Sequence, residues 1–242
     1  METQLTQDKN PAVNSEEQAP VAPPVDLPTN GPAATPLPPE KAVEPKPLPF
    51  SLTPQKIRFS NGNEAQWVYP PPNTPVEAII TALGLEKPEA LMLITGTSAA
   101  LSDEIQAHLV QLFSRSLART AAEAKTIIID EGRQTDLSNI TGQGVADRDF
   151  KSIYLGVTDA HKVIHPDLPE GTDTSERARI EPHHSHLVLV PEGDRLSENE
   201  LMARIAASLA EDKPVVTVLA QGGELAKAQV VQSVPRNHWP CQ

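Results

Sequence analysis

Three histidines stand within four positions in the stretch RIEPHHSHLVLVPEGD, residues 179 to 194. A group of that kind can hold a metal, move a proton in catalysis, or pack a corner of the fold. If His186 opens a strand, His184 and His186 share one face, and His183 and Ser185 point the other way. Two histidines need further ligands to close a metal shell, and no cysteine or suitably spaced carboxylate stands nearby to supply them. No metal site is expected. A Ser98–histidine pair would need a nucleophile elbow of the G-x-S-x-G kind, which ITGTSA is not. His161 and His165 in DAHKVIHPD have a spacing that suits a metal only on a helix, and Pro166 predicts a loop or a helix end there.

A second set of residues points to ligand binding. Four short apolar runs each end in a glycine-containing turn: ITGTSA, IDEGRQTD, VPEGDRLSE and LAQGGELA. Glycine lets a backbone approach a ligand closely, and the start of a following helix offers free N–H groups to an anion. Repeated turns of this type suggest a phosphate-bearing small molecule, although strand-to-helix turns need glycine for purely structural reasons as well.

The elements that must carry these turns follow from periodicity. NTPVEAIITALGL predicts a helix capped by Thr74, with Pro75 at its first position and Val76, Ile79, Ile80 and Leu83 on one face. LSDEIQAHLVQLFSRSLARTAAEA predicts a long helix capped by Ser102, with Ile105, Leu109, Leu112, Phe113 and Leu117 at helical spacing. TDLSNITGQGVADRD predicts a short helix, SENELMARIAASLAE another, and ELAKAQVVQSV a last one. Between them lie ALMLITG, KTIIIDEG, KSIYLGVTD, SHLVLVPEGD and KPVVTVLAQGG, apolar throughout rather than alternating, as strands buried on both faces are. Alternation with helices predicts a Rossmann-like doubly wound, mostly parallel sheet with helices on both faces. HPDLPEGTDTSERARIEP is a long excursion between two core strands, in which Arg177 and Arg179 read as solvated charge.

Composition removes other classes. The 242 residues carry a formal charge of −12, with no basic stripe to displace counterions, so no nucleic acid polymer is expected as partner. One cysteine, Cys241, excludes a disulfide framework and fits a reducing compartment. METQLTQDKN lacks the regions of a signal peptide, and no run approaches the length of a spanning helix. The first 50 residues hold 12 of the 25 prolines and no aromatic before Phe50, which predicts a disordered Pro-rich tail. The expected organisation is that tail over 1–50, a lead-in with one helix over 51–87, and an α/β domain over 88–242.

Residues 88 to 242 resemble the SLOG superfamily in its LSDAT branch, the module of the N-terminal cytosolic region of melastatin-type TRP channels, which also occurs in prokaryotic proteins. The resemblance is carried by LMLITGTSAA, by SLARTAAEAKTIIIDEGRQTDLSNITGQGVAD, by EPHHSHLVLVPEGD with its His-x-His before a strand and acidic glycine turn, and by ELMARIAASLAEDKPVVTVLAQGG. It implies a nucleotide-sensing fold. By position it places Thr95, Gly96, Thr97 and Ser98 on the first turn, and Gly132, Arg133, Gln134 and Thr135 on the second. Gly193, Asp194 and Glu198 fall on the fourth, Gly222 and Gly223 on the fifth. It also makes the histidines a packed entry to their strand, opposite the carboxyl edge and away from the ligand. The second turn departs from the family pattern, with carboxylates at Glu131 and Asp136 where glycines are expected. Repulsion of an anionic ligand there would be of order 1 kcal/mol, and Arg133 could offset it with a bidentate phosphate fork.

The resemblance implies a ligand-binding sensor domain of a signalling protein, without catalysis, for a nucleotide-derived molecule such as ADP-ribose or a nucleoside monophosphate. An N-glycosidase of the phosphoribohydrolase type is the alternative. PEGDRLSE keeps Pro191, Gly193 and Glu198 of that family's turn but not two glycines and a threonine, and Glu198 is catalytic only under that reading, where it would stabilise a ribose oxocarbenium. Its other reading is favourable placement at a helix start. A degenerate scaffold module is the third option. The family continues with a further strand and turn after SVPRNHWPCQ, so a truncated chain is expected. A cytoplasmic setting, a homo-oligomer or a C-terminal effector domain that could bring membrane association would complete the picture.

Overall fold

A computed structural model describes residues 49–96, 102–166, 168, 171–191 and 197–220. The Pro-rich tail, apart from its last two residues, and the last expected helix lie outside them. Seven strands form one sheet in the order β1-β2-β8-β5-β4-β3-β9. They are β1 (Ser51–Arg58), β2 (Glu64–Tyr69), β3 (Leu91–Gly96), β4 (Ile127–Asp130), β5 (Ile153–Asp159), β8 (His186–Val190) and β9 (Val215–Ala220). Every pairing is parallel except β1 with β2. A separate two-stranded ladder pairs β6 (Val163–Ile164), just before the excursion, with β7 (Ala178–Arg179) within it.

The continuous apolar runs are explained by cover on both faces. Leu91, Leu93, Ile127, Ile129 and Leu155 point to α1 (Val76–Ala82) and α5 (Glu198–Ala210). The alternate residues Met92, Ile94, Ile128 and Tyr154 meet the long helical arm and α4 (Asp136–Ala146). The fold is therefore the expected Rossmann-like doubly wound sheet. Trp67, Tyr69, Leu187 and Leu189 are covered instead by Ala160 and Val163, just before the excursion, and by Ile180 within it. Arg177 clamps that segment by donating to the carbonyls of Ala160 and Val163 at 2.9 and 3.4 Å, so it is not the solvated charge read from the sequence.

Three local expectations are corrected. Residues 51–69 form a hairpin, where only a lead-in with one helix was expected. Asn61-Gly62-Asn63 turns it, with Gly62 at φ 88°, and Pro54 sits where the register slips between Ser51 and Gln55, a place where a strand tolerates proline. Helix α1 begins at Val76, with Pro75 as its cap residue. Thr74 is not the cap, because its hydroxyl donates to Pro71 O at 2.6 Å and closes the preceding turn. The long arm runs as α2 (Asp103–Val110), a π-helical stretch Gln111–Leu117 and α3 (Ala118–Glu123). Ser102 takes the cap position, but its side chain makes no capping hydrogen bond. The inward stripe runs Ile105, Leu109, Phe113 and Leu117, evenly four apart, a spacing that suits the wider π turns; Phe113 is 1 % exposed, and Leu112 falls outside the stripe at 45 %.

Candidate functional site

Strand β3 lies between β4 and β9, so the strand order reverses there, and open α/β sheets form a crevice beyond the carboxyl ends at such a point. A small cleft, open to solvent on one side, occupies the β3–β4 side of that edge. Its walls are Ile94, Thr95 and Gly96 from β3, Asp130 from the end of β4, Glu131 and Arg133 from the turn after it, and Thr135, Leu137 and Ser138 from the start of α4. Thr135 caps α4: its side chain accepts from Ser138 N, and Thr135 N donates to Ser138 Oγ at 2.8 Å. Gly96 is required by packing, since a Cβ there would stand 2.3 Å from the carbonyl oxygen of Ala220 on β9. Gly96→Ala is expected to lower unfolding free energy by about 1–3 kcal/mol, because the obstacle is backbone of a paired strand. Denaturant titration checks this, and an unchanged midpoint would contradict the close approach.

Charged groups from three elements meet beside the cleft. Arg133 Nη1 donates to both oxygens of Glu198, at 3.0 and 3.1 Å, and Nη2 donates to Glu131. Glu198 also accepts from Lys162 Nζ at 3.0 Å and from Asp159 N at 3.1 Å. The side chains of Arg133 and Glu198 are only 16 % and 7 % exposed. Burial pushes the Glu198 carboxyl up, but Arg133, Lys162 and the Asp159 amide outweigh it and hold the group below its ordinary value. Burial raises Glu131, against the pull of Arg133. The guanidinium read from sequence as a phosphate fork is thus engaged by two carboxylates. Glu198 opens α5, yet capping falls to Ser197 and Glu200, so Glu198 joins the ends of β4, β5 and α5 in addition to favouring the helix dipole.

Beneath the second turn lies a buried polar network. Asp130 accepts from Gly132 N at 2.7 Å, from His184 Nε2 at 2.8 Å, and from the Tyr154 hydroxyl. His184 Nδ1 lies 3.0 Å from Glu181 O and 3.1 Å from its carboxylate. His183 bonds the same carboxylate through its ring at 2.5 Å and its backbone N at 2.9 Å. Burial disfavours charge on His184, but Asp130 and Glu181 overcome it and push the imidazole up to about 10. Tyr154, its ring stacked on His184 at 3.8 Å, is raised well above 10, first by burial and then by Asp130. Burial alone lowers His186 to about 4.

The histidines are a packed, hydrogen-bonded corner, as expected, but they are not remote from the carboxyl edge. His184 reaches the last residue of β4, because β8 starts level with Leu155 in the middle of β5. Nor do His184 and His186 share a face. His186 does begin β8, whereas His184 lies in the turn before it, outside the pleat that sets the two-residue rule, and its ring stacks on Tyr154 on the α4 side. Both its nitrogens are bonded to protein groups, which leaves none for a metal.

The structure brings Thr95, Gly96, Arg133 and Thr135 together on the cleft, with Glu198 behind Arg133. Gly132 underlies the turn at φ 70°, and its carbonyl accepts from Glu181 N at 3.1 Å. Gln134 N donates to Arg179 O at 2.8 Å, so its backbone serves the returning excursion. Thr97, Ser98, Gly193, Asp194, Gly222 and Gly223 lie outside the described residues. Sequence reasoning missed Asp130, Lys162, Tyr154 and Glu181. Only Asp130 carried a local signal, as a carboxylate closing the buried run KTIIID.

This sheet order, with strand order reversing at β3 and helices on both faces, defines a Rossmann-like α/β domain, a fold compatible with ligand binding. The family model described as SLOG in TRPM, prokaryote, matches residues 89–238, more than half of the chain, and the protein belongs to that family. Among solved structures the chain is similar to an X-ray structure titled TM1055, a structural-genomics target, at 17 % identity and a TM-score of 0.37, over 60 % of this chain and 67 % of that one. No curated protein matches in sequence. Among the described residues, no helix is long and apolar enough to cross a membrane.

Proposed function

We propose that this chain is a sensor domain of a signalling protein that binds a nucleotide-derived small molecule, such as ADP-ribose or a nucleoside monophosphate, without catalysis. The cleft at the strand-order reversal carries this reading, because it combines close backbone at Gly96 with hydroxyls at Thr95, Thr135 and Ser138, the carboxyl of Glu131 and the guanidinium of Arg133. The first, second, fourth and fifth glycine turns, with Glu198, form the ligand edge in this proposal. The setting is cytoplasmic, and the output passes to an effector domain or to a second copy of the chain. Glu198 supports the absence of catalysis, since three donors already occupy it. A buried, ionised carboxylate at this edge is also what the N-glycosidase reading requires, so product analysis belongs in the test.

A thermal-shift screen with ADP-ribose, NAD, AMP and cyclic nucleotides is expected to show stabilisation. A ligand at a hundredfold over its dissociation constant adds about 2.7 kcal/mol. Release of free base from AMP would make the domain an enzyme, and no shift with any of them would leave the scaffold role. Arg133→Ala, which removes the cation facing Glu131 and Glu198, is expected to abolish at least half of the shift. An unchanged shift would place the ligand elsewhere.

A further inference from the structure

We infer that the cleft at the ends of β3 and β4 recognises a ribose with free vicinal hydroxyls through Glu131, rather than a phosphate through Arg133. This inference rests on the nucleotide reading above and narrows it.

The donor and acceptor inventory of the cleft points this way. Its charged lining is Asp130, Glu131 and Arg133. Asp130 turns both oxygens inward: one accepts from Gly132 N and His184, the other from Tyr154. Arg133 gives one arm to Glu198 and the other to Glu131. An incoming phosphate would meet a guanidinium already neutralised and two carboxylates that repel it. A hydroxyl meets a different wall. Glu131 lines the cleft with its side chain 24 % exposed, and a carboxylate can accept from two adjacent hydroxyls while one of its oxygens still receives Arg133. The contact from Arg133 fixes the orientation of Glu131 and opposes the upward push of burial on its carboxyl. Arg133 is thus a positioning residue for the acceptor.

Topology supports the assignment independently of the charge inventory. Strand β3 carries the first glycine turn and stands at the order reversal, and β4 is the next strand in both chain and sheet. In doubly wound dinucleotide folds, an acid at the end of that second strand takes the ribose hydroxyls, and a phosphate on the ribose is excluded unless an arginine is free to meet it. Glu131 directly follows β4, and the nearby arginine is engaged.

The test is calorimetric titration of the full chain with AMP, 2′-deoxy-AMP and adenosine 2′,5′-bisphosphate, repeated on Glu131→Gln and Glu131→Ala. The unmodified protein is expected to bind AMP about tenfold or more tighter than either analogue, because a charged hydrogen bond is lost in one and a like charge added in the other. Both variants are expected to bind AMP and 2′-deoxy-AMP alike, and Glu131→Ala to tolerate the bisphosphate better than the unmodified protein does. Equal binding of AMP and 2′-deoxy-AMP by the unmodified protein overturns the inference and leaves nucleotide binding standing. The same holds if the preference survives in both variants. If none of the three ligands binds, the nucleotide reading and the inference fall together. Far-UV circular dichroism shows that each variant is folded.

Discussion

Replacing His184 by leucine is expected to lower the free energy of unfolding by about 3–5 kcal/mol, the range found when one partner of a buried ion pair is removed. His184 is fully buried, and it donates to Asp130 on one side and to Glu181 on the other. Leucine would leave both carboxylates in the core without their shared cation. Asp130 would keep Gly132 N and Tyr154, and Glu181 would keep His183, so some compensation remains and the lower half of the range is the better expectation. For a domain of this size the midpoint of thermal unfolding should fall by about 10 °C. His184→Gln, which retains donors without the charge, should fall between the two. A leucine variant within 1 kcal/mol of the unmodified protein would mean that the remaining partners of Asp130 and Glu181 hold the network without His184. The effect should also reach the site, since Asp130 holds the Gly132 amide in the turn that aims Glu131 and Arg133.

The second large effect is on pH. His184 stands at about 10 when folded and 6.5 as its ordinary value. A raised value in the folded state stabilises fully below pH 6.5 and is lost as pH rises towards 10. The slope is about 1.4 kcal/mol per pH unit while the folded state holds one extra proton. His186, two positions on, behaves oppositely. Its folded value of about 4 lies below 6.5, so its contribution is present above pH 6.5 and lost as pH falls. The lowered carboxyl groups of Glu181 and Glu198 add to the acid limb, and the raised Tyr154 hydroxyl extends the alkaline limb beyond pH 10. Stability should therefore peak near pH 6.5. Denaturant titrations at pH 5, 6.5, 8 and 9.5 would trace the curve. His184→Gln should flatten the alkaline side and His186→Gln the upper part of the acid side. A level profile from pH 6.5 to 9.5 in the unmodified protein would show that His184 is not charged in the fold.

These two histidines mark the boundary between what the chain discloses locally and what it does not. The five apolar runs, the helices between them and the glycine at position 96 are local patterns, and each appears in the structure where its period places it. The hairpin of residues 51–69 was legible too: Ala65, Trp67 and Tyr69 alternate into the core behind an Asn-Gly turn. Pro54 and the nearby proline run obscured it. The π turns at Gln111–Leu117 show in the sequence only as a stripe evenly four apart, with one leucine outside it. The partners of His184 could not be read at all, since Asp130 lies 54 positions away and the offset between β4 and β8 decides the contact. Arg133 failed for the same reason. Its type suggested a phosphate, but Glu198, 65 positions later, was there to meet it.

The parallel pairing of β2 with β8 also governs the order in which the molecule can assemble. The hairpin β1–β2 can close as soon as it is synthesised, yet its inner strand waits for a partner far along the chain: Asn63 bonds the carbonyl of His184 across 121 positions. Loop closure of that length precedes any reward from the contact, and such non-local pairings slow folding. Until residue 190 has been made, β2 has an unpaired edge and Trp67 lacks the cover it has in the finished fold. The N-terminal hairpin, early in sequence, is therefore placed to be late in folding, and an emerging chain is most exposed to mispairing there.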